Sequence, residues 1–380
     1  MSGIKRIVKT FAIWRLLLFI PLLIGQGIPF RDGYQYTSFL FFTKPDFPIS
    51  SFLLSPLANF DGIHYLSIAG HGYTDNGRFF PLLPLLIKFF SFGQNGQTVQ
   101  FISAFLLSNI FFLVSLILLY KIIKEDYQEN IAFNTILILM LFPTSFFFVS
   151  IYAESLFLVL ALLSFYFARK RNWLLASISG ILLGLTRPTG LIILPALLVE
   201  LWQTEKHKAA ELIKKSWPLL LIPTGIVGYA YYCFRKWHDL FFFMNAQGLL
   251  NNGRETGKII LFPQTIFRYL KILVSVSPSH HELWVALIEL LVFIIALTML
   301  IFAVKKRIKP SYLVYSFLGL LIPASTGTFT GLPRYILILF PLFLTAGLVF
   351  KKKSLLIYAV ISIVLSVIFL ALFSRGYYIA

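Results

Sequence analysis

The chain has 380 residues, 58% of them hydrophobic and 13% charged, with a net charge of +18. A soluble domain carries about 25% charged residues, and a chain this long and this apolar cannot cover itself with polar surface, so lipid is its solvent. The basic residues lie in short clusters between apolar runs, as the positive-inside rule places them, so the charge does not point to nucleic acid.

In chain order, residues 1–10 carry Lys5, Arg6 and Lys9 and are expected in the cytoplasm. This basic and then apolar start resembles a signal peptide, but no small-residue cleavage site follows, so an uncleaved first span is expected. Spans are expected at roughly 11–29, 98–120, 131–149, 153–168, 173–186, 190–202, 217–234, 283–304, 311–324, 335–350 and 355–373, with Arg15 at the entrance of the first. The basic loops "KIIKEDYQEN", "ARKRNW", 203–216, "KKRIK" and 351–353 alternate with far-side segments, of which 30–97 and 235–282 are long. Within the first, 79–92 is apolar but short and reads as a re-entrant or interfacial helix; the second mixes aromatic runs with the polar patch "NNGRETGK". The expected fold is an all-α polytopic membrane protein, one domain over 1–380, with about eleven transmembrane helices and extracytoplasmic interfacial helices. No period of 20–50 residues and no matched halves appear. Cys233 is the one cysteine, so no intrachain disulfide forms, and it reads as an apolar filler.

The stretch from Asn59 to Lys88 gathers Asp61, His64, His71, Asp75 and Arg78 just past the first span. On a helix Asp61, His64 and Tyr65 share a face, and a carboxylate held there could act as a general base; a helix cap is the competing reading. Glu154 lies at the turn between the third and fourth spans, as part of a cavity wall or as a dipole-favoured cap. Glu289 sits about two turns inside the eighth span, which makes it functional or a buried partner. Arg187 in "TRPTG" and Arg334 in "GLPRY" stand at far-side turns, where a guanidinium can grip phosphate in two parallel hydrogen bonds or snorkel to headgroups. The start of the tenth span would add free N–H groups and its dipole to Arg334. Arg78 and Tyr335 complete the substrate-binding candidates. There is no Walker motif, His-Glu-x-x-His or Cys/His cluster, and no metal site is expected.

"FDGIHYLSIAGHGY" followed by "FFPLLPLLIK" resembles the Trp-Asp-x-x-His-Tyr and Phe-Phe-Pro-x-x-Pro-Leu signature of PIG-V-type mannosyltransferases. "FPTSFFFVSIYAESLF", "GLTRPTGL", "LPRYILILFPLFL" and "RGYYIA" are similar to further blocks of that family, in the same order. The family is one of the GT-C membrane glycosyltransferases, which use polyprenyl-phosphate sugars and keep an acidic residue in the first extracytoplasmic loop. The resemblance implies that Asp61 is that residue, although Phe60 stands where the family usually has Trp. It implies an inverting transfer of a sugar, mannose, from a polyprenyl-phosphate donor to a lipid-linked or extracytoplasmic acceptor. The partners would be that donor, a glycan or glycolipid acceptor and membrane lipid, with no cofactor, no metal and no nucleic acid, and with room for a small membrane subunit. The location implied is a multi-pass protein of the plasma membrane in a prokaryote, or of the endoplasmic reticulum in a eukaryote, its active site extracytoplasmic. Two other readings stay open: a transporter or flippase of a lipid-linked sugar, and a non-catalytic scaffold subunit.

Overall fold

The computed structural model describes residues 2–32, 34, 53–205, 209–248 and 260–379; they are mostly helical, with no strand among the described residues. Expectations for residues 35–52 of the first loop, for Lys206 and Lys208 and for the 251–258 patch lie outside the described residues. Among the described residues five helices are long and apolar enough to cross a membrane: Gly3–Gly25, Gln97–Asp126, Lys214–Trp237, His281–Lys305 and Lys352–Ser374. They show large apolar side chains outward, such as Leu356, Val360 and Val364 on the last, a surface that lipid covers and water does not. The described residues also hold the shorter apolar helices Glu129–Leu141, Trp173–Gly184, Pro188–Thr204 and Pro310–Ala324.

Residues 335–350, expected as one straight span, belong instead to a pair, Leu332–Ile338 and Phe340–Val349, bent by 81°. Pro341 explains the break, because it donates no backbone hydrogen bond and crowds the preceding turn. The helix that holds the first expected span begins at Ser2 and so takes in Lys5, Arg6 and Lys9.

The chain forms two compact units. The first comprises Met1–Thr74, Leu82–Val159 and Val349–Ile379. In it Lys352–Ser374 packs along Phe19–Gly25 and against Glu129–Leu141, where the Tyr358 hydroxyl donates to the Ile138 carbonyl at 2.7 Å. Phe112 stacks on Phe148 at 4.3 Å and meets Trp14 at 5.5 Å. Arg15 is buried beside them, with Nε donating to Asn109 Oδ1 at 3.0 Å and the guanidinium near the Phe19 and Phe105 rings. An amide and two aromatic faces thus replace part of the water this cation has lost. Cys233, in the other unit, is buried and free, as a filler would be.

The second unit comprises Asp75–Pro81 and Leu160–Leu348. Its core centres on Phe165, whose ring meets Tyr312, Tyr315 and Phe340 edge-on at 5.1, 5.6 and 5.6 Å. Ile193–Thr204 packs against Pro310–Ala324, and the buried Glu200 carboxylate accepts a hydrogen bond from the Ser311 hydroxyl. Asn172 caps Trp173–Gly184 by accepting the Leu175 N–H at 3.1 Å. The 3₁₀ turn Pro188–Ile192 lies against that helix, and a Cβ on Gly190 would fall 2.5 Å from the Leu183 carbonyl oxygen and 2.8 Å from the Gly184 nitrogen. Backbone cannot give way there without breaking the helix. Gly190→Ala is therefore expected to destabilise the protein by about 1–3 kcal/mol, the cost of overpacking. The check is thermal unfolding in detergent; a wild-type midpoint would mean that the turn can move aside.

Candidate active site

Asp61 is the first residue of the helix Asp61–His71, where the positive end of the dipole favours its charge. His64 and Tyr65 follow one turn on along the same face; Tyr65 is buried, while Asp61 and His64 are half-buried. The residue before the helix is strained. Phe60 has φ 59° and ψ −110°, a region that bulky L-residues avoid unless their surroundings force it. Its ring is packed by Tyr34 at 5.0 Å, Phe373 at 5.4 Å and Tyr378 at 5.1 Å. Next to it the fully buried Asn59 donates through Nδ2 to the Phe373 carbonyl at 2.9 Å.

Glu154 is likewise the first residue of a helix, Glu154–Arg169, and is fully buried. The segments leading into the two helices are tied together. The Ile151 N–H donates to the Leu57 carbonyl at 2.9 Å, and the Tyr152 hydroxyl donates to the Asn59 carbonyl at 2.8 Å. A Cβ on Gly62 would lie 3.2 Å from the Ile151 carbonyl oxygen, so the backbones run close. Two helices that open on carboxylates are thus joined at their starts. The half-buried Asp61 can meet a substrate proton, whereas Glu154 is closed off by the packing around it.

The remaining candidates belong to the second unit. The Arg78 guanidinium lies 4.8 Å over the Phe79 ring, in a short piece that the Tyr229 hydroxyl pins by donating to the Gly77 carbonyl at 2.6 Å and the Phe79 carbonyl at 3.2 Å. The turns "TRPTG" and "GLPRY" come together: Arg187 and Arg334 lie 5.5 and 5.3 Å from the centre of the Tyr335 ring. Arg334 is buried and Arg187 half-buried. Two guanidiniums on one ring gather positive charge suited to an oxyanion. The added help expected from a helix start is not available, because Leu332–Tyr335 has only 4 residues and the Gly331 N–H already donates to Glu289 Oε1 at 3.2 Å.

That contact gives Glu289 a structural task. Its other oxygen, Oε2, accepts from the Tyr269 hydroxyl at 2.5 Å. The Tyr269 oxygen in turn accepts the Phe329 N–H at 2.8 Å and lies 3.0 Å from Thr328 Oγ1. Burial, and then the charge of Glu289, push the Tyr269 hydroxyl's pKa upward, so it stays a donor. Glu289 and Tyr269 therefore hold the loop that leads into Arg334. Tyr269→Phe, which deletes the shared hydroxyl, is expected to cost about 1–3 kcal/mol of stability by leaving buried groups unsatisfied. Denaturation in detergent would read this, and an unchanged midpoint would remove the hydroxyl from the network.

Among the described residues no three His, Cys, Asp or Glu side chains gather as metal ligands would. Asn59, the strain at Phe60 and the Tyr269 network escape sequence reasoning; only the small-polar-aromatic run "NFDG" hints at a special turn.

The apolar helices define a multi-pass membrane protein, and the candidate side chains sit at helix ends and in turns. Residues 42–187 match the family model described as mannosyltransferase (PIG-V), so the resemblance read in the sequence is shown over that stretch and supports a glycosyltransferase. The stretch contains Asp61, His64, Tyr65, Arg78, Glu154 and Arg187, while Arg334 and Tyr335 lie beyond it. No curated protein matches the chain.

Proposed function

We propose that this protein is an inverting GT-C-type glycosyltransferase that moves a sugar, mannose, from a polyprenyl-phosphate donor to a lipid-linked or extracytoplasmic acceptor. The observation that carries the reading is the mannosyltransferase match over 42–187, within which Asp61 opens a helix at a strained turn.

In the proposed step Asp61 takes the proton of an acceptor hydroxyl. The hydroxyl oxygen forms a bond to the anomeric carbon on the face opposite the phosphate. The carbon–oxygen bond to phosphate breaks, and the electron pair leaves with polyprenyl phosphate. That leaving group is a stable anion, so cations suffice to hold it; Arg334 is assigned this task, with Arg187 as second choice. His64, Tyr65, Arg78, Glu154 and Tyr335 are assigned to binding substrate. No resident cofactor enters the step.

Eleven crossings remain the proposed topology, with the active site on the extracytoplasmic side. In support, every expected span overlaps helical residues, although Glu129–Leu141 stops short of 149 and pieces such as Trp173–Gly184, with 12 residues, are short. At about 1.5 Å per residue such a piece reaches about 18 Å, so it would need flanking turns to cross a core of about 30 Å. Single cysteines at Asp75, Gln203 and Lys352, with Cys233 removed, test this with an impermeant thiol reagent on intact cells. Labelling is expected at Asp75 alone, and labelling at Gln203 contradicts the arrangement of the third to sixth spans. The function itself is tested by deletion. Cells lacking the protein should accumulate an acceptor without its sugar, and unchanged lipid and glycan profiles would contradict the enzyme reading.

A further inference from the structure

The first unit brings the segment 373–378 to the residue before Asp61, more than three hundred positions earlier in the chain. Lys352–Ser374 ends, and Arg375 fixes the chain where it leaves the helix. The Arg375 Nε donates to the Gly25 carbonyl and Nη2 to the Gln26 carbonyl, each at 2.6 Å, and its guanidinium covers the Phe30 ring at 4.3 Å. Its own carbonyl accepts the Arg31 N–H at 3.0 Å. Gly376 then turns at φ 84°, and a Cβ there would run into the Tyr34 ring. The turn delivers Tyr378 to the edge of Phe60, while Phe373 and Tyr34 pack the same ring and the Phe373 carbonyl holds Asn59.

We propose that the segment 373–378 is a positioning element for Asp61 and that Tyr378 is its specific contact. The inference rests on the reading of Asp61 as the base. An aromatic side chain does not keep a left-handed backbone by preference. Here the surrounding rings leave Phe60 no other place, and its backbone sets the direction in which the Asp61 helix starts. With the Tyr378 ring gone, Phe60 can relax toward an ordinary backbone, and the carboxylate shifts with the first helical turn. A displacement of about 1 Å is enough to lower a rate by about 10²-fold.

Phe373 also touches Phe146 and Phe147, both at 5.3 Å, so changing it would disturb the core. The test is made at Tyr378. Tyr378→Ala, and Tyr378→Leu should the first fail to accumulate, are compared with Tyr378→Phe and Asp61→Asn in donor-dependent transfer assays and in detergent melting. The expected result is a kcat lowered by about 10- to 100-fold in Tyr378→Ala or Tyr378→Leu. Donor KM and the melting midpoint should hold, and Tyr378→Phe should restore most of the loss. Wild-type kcat in Tyr378→Ala, or kcat, KM and melting falling together, would overturn the positioning role. If Asp61→Asn is itself fully active, the base assignment fails, and that outcome is distinct from a silent Tyr378.

Discussion

Asp61→Asn is expected to lower turnover by about 10²–10⁴-fold, the contribution of a well-placed general base. The substitution keeps the size of the side chain and a residue type that starts helices well, so Asp61–His71 should survive it. Only the proton acceptor is lost. Donor KM should change little, because the base acts in the transition state and not in holding the donor. Steady-state transfer in membranes of equal protein content reads both quantities. Near-normal turnover would end Asp61's role. Glu154 would then be the next carboxylate to try, although its complete burial makes it a poor receiver of a substrate proton.

Arg334→Lys is expected to raise the donor KM by roughly 10- to 100-fold, the effect of losing a charge-assisted hydrogen bond worth about 1.5–3 kcal/mol. Lysine keeps the charge but cannot offer the planar fork that grips a phosphate through two bonds. Arg334→Ala should be worse, since the charge goes as well. The competing role is an anchor to phospholipid headgroups, for which any long cation serves. The structure weighs against a free-swinging anchor: Arg334 is buried and, with Arg187, faces the Tyr335 ring. Wild-type donor dependence in both variants would remove phosphate binding from this residue.

Helical class and membrane solvent were legible because composition alone forces them: an apolar chain with short basic loops has few other ways to fold. The helix at Asp61 was legible for a local reason, since Asp61, His64 and Tyr65 follow helical spacing and the carboxylate suits the first position. The bend of 81° near Leu339 was not read, although Pro341 was in view, because hydropathy averages over a kink. The pairing of Arg187 with Arg334 on Tyr335 was half legible. Each motif announced a cation at a turn, but only the packing of the second unit joins turns so distant in sequence. Glu289 read as an ionisable group at depth and is now seen holding the Gly331 N–H and the Tyr269 hydroxyl. The clamp on Phe60 was beyond the sequence altogether, because nothing local predicts that Tyr34, Phe373 and Tyr378 converge on it.

Purified protein in nanodiscs, supplied with polyprenyl-phosphate mannose labelled in the sugar and with extracted membrane lipids as acceptor, provides the most direct measurement. The label should pass to the acceptor fraction as polyprenyl phosphate is released, and the anomeric configuration in the product should be opposite to that in the donor. Label that stays on the donor, transfer that proceeds only from a nucleotide sugar, or a product with retained configuration would contradict inverting transfer from a lipid phosphate.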